Sequence, residues 1–427
     1  MAAILVVLFI LFVAIGVPIS FSLGLVSFVG IFALPDIPNM IVFTKMFNGL
    51  NSFTLLAVPL FILAANIMNE GNITDRLIRW CNALVGHRRG GLAYSNILVS
   101  MIFAGISGSS QADTAGIGSV FIPAMKKEGY DDGTSVGVTA ASSTLGSIIP
   151  PSIIMVVYSG IANVSTGALF MTGLVPGILL GLAMMAIVWW QRSRFPAGKK
   201  VSAKEMLSLT KESVPALFTP ILLIGGICSG LFTPTESSAI ASLYAFSISI
   251  FYYKSITLRD IPRILVDTMK LSSLSLFALA SACALGELLS YYQLNVAIQD
   301  FFSGLAAGKI AFTLIIVLFF LFVGTFMDAV PAMILFVPVI LPTALSLGVN
   351  PIMLGLIIVV TLALGLVTPP YGLCLLLSAS INKMRIEDAF KGTLPYLISS
   401  LVILLFMVVF PDMWIAIPTV LFPALFN

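Results

Sequence analysis

Shifted against itself by 219 residues, the chain lays one run of its helix-breaking residues over a second run without a gap. Gly105 meets Gly324, Pro123 meets Pro342, Gly129 meets Gly348 and Gly146 meets Gly365. Pro150 and Pro151 meet Pro369 and Pro370, Asn163 meets Asn382, and Gly173 and Pro176 meet Gly392 and Pro395. Glycine and proline mark where a helix stops, kinks or lets another backbone come close, so a shared spacing of breaks predicts two copies of one architecture. In an apolar chain, interrupted segments at corresponding places in two halves also point to the binding site of a membrane carrier.

Composition sets the solvent. With 59% hydrophobic residues, 9% charged residues and a mean hydropathy of +1.11, the 427-residue chain cannot cover a water-facing surface. It has many uncharged stretches long enough to cross a bilayer, so it reads as an all-α, polytopic membrane protein. The net charge of +3 comes from cations clustered in loops. They form no stripe suited to nucleic acid, and no nucleic-acid partner is expected. Cys81, Cys228, Cys283 and Cys374 are scattered without metal-ligand spacing and read as packing residues. Residues 2 to 34 are apolar with no basic segment before them, which reads as retained helices and not a cleaved leader.

Lysine and arginine orient the chain. The clusters at Arg76 to Arg89, Lys126-Lys127, Arg192 to Lys211, Lys254 to Lys270 and Lys383 to Lys391 are assigned to the cytoplasm. Between Arg89 and Lys126, polar residues 107–114 divide an apolar stretch into arms of roughly 24 and 17 Å as helix, short of the roughly 30 Å hydrocarbon core. Both ends are basic, which predicts a re-entrant hairpin entering from the cytoplasm. Residues 310 to 382 carry no lysine or arginine and one charge, Asp328, so the second copy should be inverted, its hairpin opening to the other side. Each repeat is then expected to hold three spanning helices, a hairpin, a broken helix and one further span. The first covers 1–190, with its hairpin at about 88–127 and its broken helix at about 133–163. Residues 191–214 form a cytoplasmic connector. The second covers 215–427, with its hairpin at about 309–346 and its broken helix at about 350–382. Amphipathic stretches 72–85 and 256–270 are expected to lie along the interface as arms.

The broken helices carry most of the chemistry. A proline lacks an N–H and pushes its predecessor out of helix, so Gly146 to Pro151 and Gly365 to Pro370 should each end one half-helix on bare carbonyls and start another on bare amides. The first kind of end suits a cation and the second an anion. Hydroxyls of Ser107, Ser109 and Thr325 on the facing tips would complete an oxygen cage for Na⁺. The plain alternative is a Pro kink satisfied by neighbouring helices. With no lysine or arginine in either tip or break, a substrate carboxylate is expected to meet Ser109, Ser110 and half-helices starting near Pro151 and Pro370. Gln111, Asp113, Thr114 and Asp328 complete the candidate substrate set.

Three pieces together resemble a known family: Gly230-Leu-Phe-Thr-Pro-Thr-Glu236, the tip Gly105-Ile-Ser-Gly-Ser-Ser110 followed by Asp113, and the paired Pro-Pro breaks. Over nearly its whole length the chain is similar to large membrane subunits of tripartite ATP-independent periplasmic (TRAP) transporters, within a superfamily that includes sodium/dicarboxylate symporters. The resemblance implies a bacterial inner-membrane protein that takes up an organic acid with Na⁺ by an elevator motion. A small four-helix membrane subunit and a periplasmic substrate-binding protein are implied as partners, and two or more sodium ions, without an organic cofactor, as ligands. It places one sodium site at Ser107, Ser109, Gly146, Ile149 and Pro151, and another at Gly324, Thr325, Gly365 and Thr368. Overall similarity leans toward the sialic acid members. The alternatives are a C4-dicarboxylate member or a sodium/dicarboxylate symporter working alone.

Some motifs have a structural reading first. Thr233-Pro234-Thr235-Glu236 is a helix-starting capping box. Asp113 and Asp328 are carboxylates inside a membrane, which makes them functional candidates. Either they hold the tips by accepting hydrogen bonds or they contact substrate hydroxyl or amide groups. An intramembrane serine hydrolase would need a base beside its serine. The single histidine, His87, sits among the cytoplasmic cations, so no enzyme is expected.

Overall fold

The computed structural model describes residues 2–32, 38–198, 200–293 and 308–426. Among them the fold is all-α, with one isolated antiparallel bridge between Arg89 and Ala197. Five helices are long and apolar enough to span a bilayer: Thr166–Trp190, Ala203–Cys228, Ile261–Tyr291, Ala329–Ser346 and Ile386–Val409. A sixth candidate is the pair Met40–Leu50 and Thr54–Glu70, bent by 69°.

Helix boundaries follow the 219-residue offset to within two residues from the first hairpin onward. Gly91–Ser107 and Ser110–Lys127 correspond to Lys309–Gly324 and Ala329–Ser346. Asp132–Ser143 with its 3₁₀ turn Thr144–Ser147 corresponds to Pro351–Gly365, Ile153–Ala162 to Leu373–Asn382, and Thr166–Trp190 to Ile386–Val409. The chain leaves each hairpin through a left-handed glycine, Gly129 at φ +89° and Gly348 at φ +73°. Both Pro150-Pro151 and Pro369-Pro370 are cis. The bent pair over 40–70 falls on the straight helix Ile261–Tyr291. Its bend comes where the first helix closes at Asn51 and Ser52 precedes a new start.

Helix 261–291 packs on helices 19–32, 40–50 and 57–70, and 57–70 packs on 234–247. Against this group lie the hairpins and broken helices, through 261–291 on 329–346 and 57–70 on 153–162. Helix 386–409 crosses between repeats onto 132–143, where backbone meets backbone. A Cβ on Gly392 would fall 1.9 Å from the Gly133 carbonyl, and one on Gly137 would fall 2.3 Å from Gly392. Lipid is as apolar as the helix surface, so such small-residue contacts gain their energy from close packing.

Three expectations are corrected. The connector is shorter than 191–214, because a helix begins at Ala203 with Ser202 accepting a hydrogen bond from the Glu205 N–H. Its remainder is tied to the hairpin entrance by the Gly90 N–H, which donates to Pro196 O. Residues 261–270 are not an interfacial arm but the first turns of the 31-residue helix 261–291. The offset carries 72–85 onto 291–304, most of which lies outside the described residues. The second arm of the first hairpin is 18 residues long, about 27 Å, because its helix starts at Ser110 and takes in the polar tip residues 110–114. Arm Ile73–Val85 packs on helix 203–228, with Arg76 paired to Glu212 and Trp80 Nε1 donating to Thr210 Oγ1 at 3.1 Å. At Thr233 both hydrogen bonds of the capping box form. All four cysteines are free.

Candidate functional site

The first tip turns on Gly108, whose φ of +63° needs a residue without a Cβ penalty, and on Ser109, which caps the following helix. This turn presses the tip into the first break. The Gly108 carbonyl accepts from the Ile153 N–H at 3.2 Å, and Ser110 Oγ lies 2.7 Å from Ser147 Oγ and donates to Thr144 O at 3.2 Å. Ser107 Oγ donates to Asp113 Oδ1. The other carboxylate oxygen, Oδ2, is buried without a hydrogen-bond partner and points at Gly146, where a Cβ would lie 2.4 Å from it.

The backbone account of this break is also incomplete. Gly146, Ile149 and Pro151 are buried, and among the described residues no protein group donates to their carbonyls. Buried carbonyls are normally paired, so bare ones in the break that faces an orphaned carboxylate oxygen at Gly146 supply the oxygens of a candidate cradle. Carbonyl, hydroxyl and carboxylate oxygens suit a hard cation. Ser107 and Ser109 border the same place, so the five residues of the first expected sodium set fit such an ion. Among the described residues there is no group of three His, Cys, Asp or Glu suited to a metal.

The second break is built alike but closed more tightly. Gly324 and Gly365 meet backbone to backbone, a Cβ on Gly365 falling 2.7 Å from Gly324 Cα. Gly324 O and Thr368 O accept no hydrogen bond among the described residues. Thr325 Oγ1 donates to Phe322 O and Thr368 Oγ1 to Leu364 O, leaving both hydroxyls their lone pairs. Gly365 O already accepts from the Thr368 N–H at 3.1 Å, so the oxygens of this set that suit a cation are Gly324 O, Thr368 O and the two hydroxyls.

The amide ends depart from expectation. The second half-helices begin at Ile153, capped by Ser152, and at Leu373, capped by Gly372, beyond Pro151 and Pro370. Several of their first-turn amides are already engaged: Ile153 N–H by Gly108 O, Met155 N–H by Ser152 Oγ, and the Cys374 and Leu375 N–H groups by Leu366 O. They are weak candidates for a carboxylate. Pro370 is exposed and Pro151 buried, and neither lines the cavity described next.

That cavity, about 530 Å³, lies between the tips and helices 57–70 and 261–291. Ser107, Ser109, Gln111 and Asp328 line it. Gln111 Nε2 donates to Asp328 Oδ1 at 3.0 Å, joining the two tips directly. Asp328 also caps its own helix through the Ala329 N–H at 2.8 Å. Ser110 and Asp113 face the first break instead, and Thr114, whose Oγ1 donates to Ser110 O, lies against Cys374 of the second repeat. Sequence reasoning missed Asn66 and Asn69, which also line the cavity. Three residues apart, they share one face of the apolar helix 57–70, and that pair of amides was the available signal. Asn66 is oriented by Thr268 at 2.9 Å and Asn69 by Thr74 at 2.7 Å.

Residues 6–413 match the family described as tripartite ATP-independent periplasmic transporter, DctM component. The chain is 38% identical over 421 residues to the uncharacterized protein YgiK of Salmonella typhimurium, with 97% of each chain covered. It is 34% identical to the C4-dicarboxylate TRAP transporter large permease protein DctM of Rhodobacter capsulatus, covering 95% of this chain and 96% of that one. It is 35% identical to the sialic acid TRAP transporter permease protein SiaT of Haemophilus influenzae, over 99% of this chain and 68% of the relative. In fold it is similar to the Alcanivorax borkumensis YdaH transporter, with a TM-score of 0.65, 14% identity, and 87% and 88% of the two chains covered.

Proposed function

We propose that this chain, which belongs to the DctM-component family of TRAP transporters and is a multi-pass large permease subunit of the inner membrane, couples uptake of an organic acid to sodium. The observation that carries the coupling is the pair of breaks, each leaving backbone carbonyls bare where a hairpin tip presents hydroxyls. Tip and break residues would hold the ion through oxygen, and the ion's charge would lie beside a cavity lined by no lysine or arginine. Ser107 and Asp113 would then order the first tip, and Gln111 would pass that order to Asp328 on the second.

The cavity lining favours a polyhydroxylated acid over a compact dicarboxylate. Asn66, Asn69, Gln111 and Ser109 offer neutral donors and acceptors for hydroxyl and amide groups, which an N-acetylated sugar acid carries in greater number than a compact dicarboxylate. Sialic acid is therefore the first substrate to test. The hairpins and broken helices would carry it past helices 40–70 and 261–291 as a rigid elevator, in two inverted repeats. A small membrane subunit and a periplasmic binding protein would act with it.

Reconstitution into liposomes with both partners, imposed sodium gradients, and a panel of labelled sugar acids and dicarboxylates tests this reading. Uptake that follows the inward sodium gradient and stops with choline supports it. Equal uptake in both conditions refutes the coupling.

A further inference from the structure

A second cavity, about 460 Å³, lies along the same groove. Among the described residues its charged lining is Lys45 and Glu287, with Nζ and Oε1 2.9 Å apart and side chains 38% and 30% exposed. Lys45 is the one cation among the described residues lining either cavity. An ion pair within apolar helices of a membrane protein marks a functional place by default.

The two cavities are stations on one track. Helix 261–291 lines the first with Leu274 and Ala278 and the second with Cys283 and Glu287. On the other wall, helix 153–162 passes from Ile153 to Ile161, and helix 329–346 from Pro331 to Pro338. Between them an apolar neck of Leu55, Val58, Val157, Leu279 and Val330 leaves about 10 Å³. From Ser275 to Glu287 the track rises about 18 Å. Its far end is opposite the basic cluster around Arg263, which places Lys45 on the periplasmic side by the distribution of positive charge.

We propose that Lys45 is the reception site for the substrate carboxylate in the periplasm-facing state, and that Glu287 holds the ammonium until the substrate displaces it. An organic acid entering from the periplasm needs a cationic partner before it reaches the tips, where no lysine or arginine lines the cavity. Lys45 supplies it, and a half-exposed ion pair is weak enough for one carboxylate to replace another. Glu287 also prevents an uncompensated ammonium within the groove when no substrate is present. The inference rests on the reading of the chain as an importer of organic acids.

The test is sodium-driven uptake by Lys45→Gln, Glu287→Gln and the double variant in the complete reconstituted transporter, with substrate concentration varied. Lys45→Gln is expected to raise the half-saturating concentration roughly 5- to 10-fold, with little change in maximal rate. The double variant should keep that rise, Lys45→Arg should restore most of the affinity, and Glu287→Gln should not weaken it. A pair that merely clips two helices behaves otherwise, because the doubly neutral groove leaves no unpaired charge. Recovery of wild-type affinity in the double variant, or an unchanged half-saturating concentration in Lys45→Gln, overturns the proposal. Absence of sodium-driven uptake in the wild type instead overturns the reading on which it rests. Melting in detergent checks that each variant folds, and Lys45→Arg against Lys45→Gln keeps charge as the variable if both melt early.

Discussion

Gly365→Ala tests the oxygen cradle through its least forgiving contact. The added methyl would lie 2.7 Å from Gly324 Cα, 2.8 Å from Gly324 C and 3.0 Å from Gly324 O. Carbon atoms in ordinary contact stay about 3.5–4.0 Å apart, so the two helices must separate by roughly 1 Å. All three obstructing atoms are backbone, and no side-chain rotation relieves them. Overpacking of this kind costs about 1–3 kcal/mol. The reciprocal Gly324→Ala brings its methyl only to 3.2 Å from Gly365 Cα, so it should cost less. Gly160→Ala is the control, because nothing lies within 4 Å of its Cβ position and an alanine within a helix gains about 0.8–1 kcal/mol over glycine. Melting in detergent as sodium is titrated reads both effects. Gly365→Ala should melt earlier than Gly324→Ala, which should melt earlier than wild type, and Gly365→Ala should need more sodium for its stabilisation because Gly324 O is displaced. A Gly365→Ala protein that melts like Gly160→Ala with unchanged sodium dependence refutes the reasoning.

Three further outcomes follow. A cysteine at Ser346 should react with an impermeant reagent from the periplasmic side and one at Lys127 only from the cytoplasm; labelling of both from one face rules out inverted repeats. Ser107→Ala removes an oxygen of the proposed sodium site and the Asp113 donor together, so it should raise the half-saturating sodium concentration roughly tenfold, and more than Thr325→Ala, whose hydroxyl donates to its own helix. Equal sodium dependence in wild type and both variants would remove these residues from coupling. Gln111→Leu leaves Asp328 without its donor from the facing tip, so substrate binding measured directly should weaken by about 1–3 kcal/mol; binding equal to wild type would mean the two tips act independently.

Much of the architecture is a local property of the chain, which is why it was legible. A Pro-Pro pair breaks a helix whatever surrounds it, so spacing located both breaks and the repeat relating them, and charge placement with short arms located the hairpins. Ser202 shows the limit of reading charge for topology: lysines on either side made 203–214 look like loop, although the cap and Glu205 start a helix there. Residues 256–270 were misassigned for a similar reason, because an amphipathic beginning does not reveal that the helix continues for 31 residues.

The candidate site divides along the same line. The sequence by itself determined that carbonyls would go unpaired near Pro151 and Pro370, since a proline has no N–H to give them. Only the tertiary structure decided which polar groups remain free. The amides of Ile153 and Cys374 looked available for an anion until Gly108 O and Leu366 O were found on them. Ser110 looked like a substrate contact until packing turned it toward the first break, while Asn66 and Asn69, distant in sequence, were brought to the cavity. Gln111 and Asp328 are 217 residues apart and meet because hairpin docking brings both tips to one place. A backbone break is encoded within a few residues, but a polar group's partner depends on which helices come together.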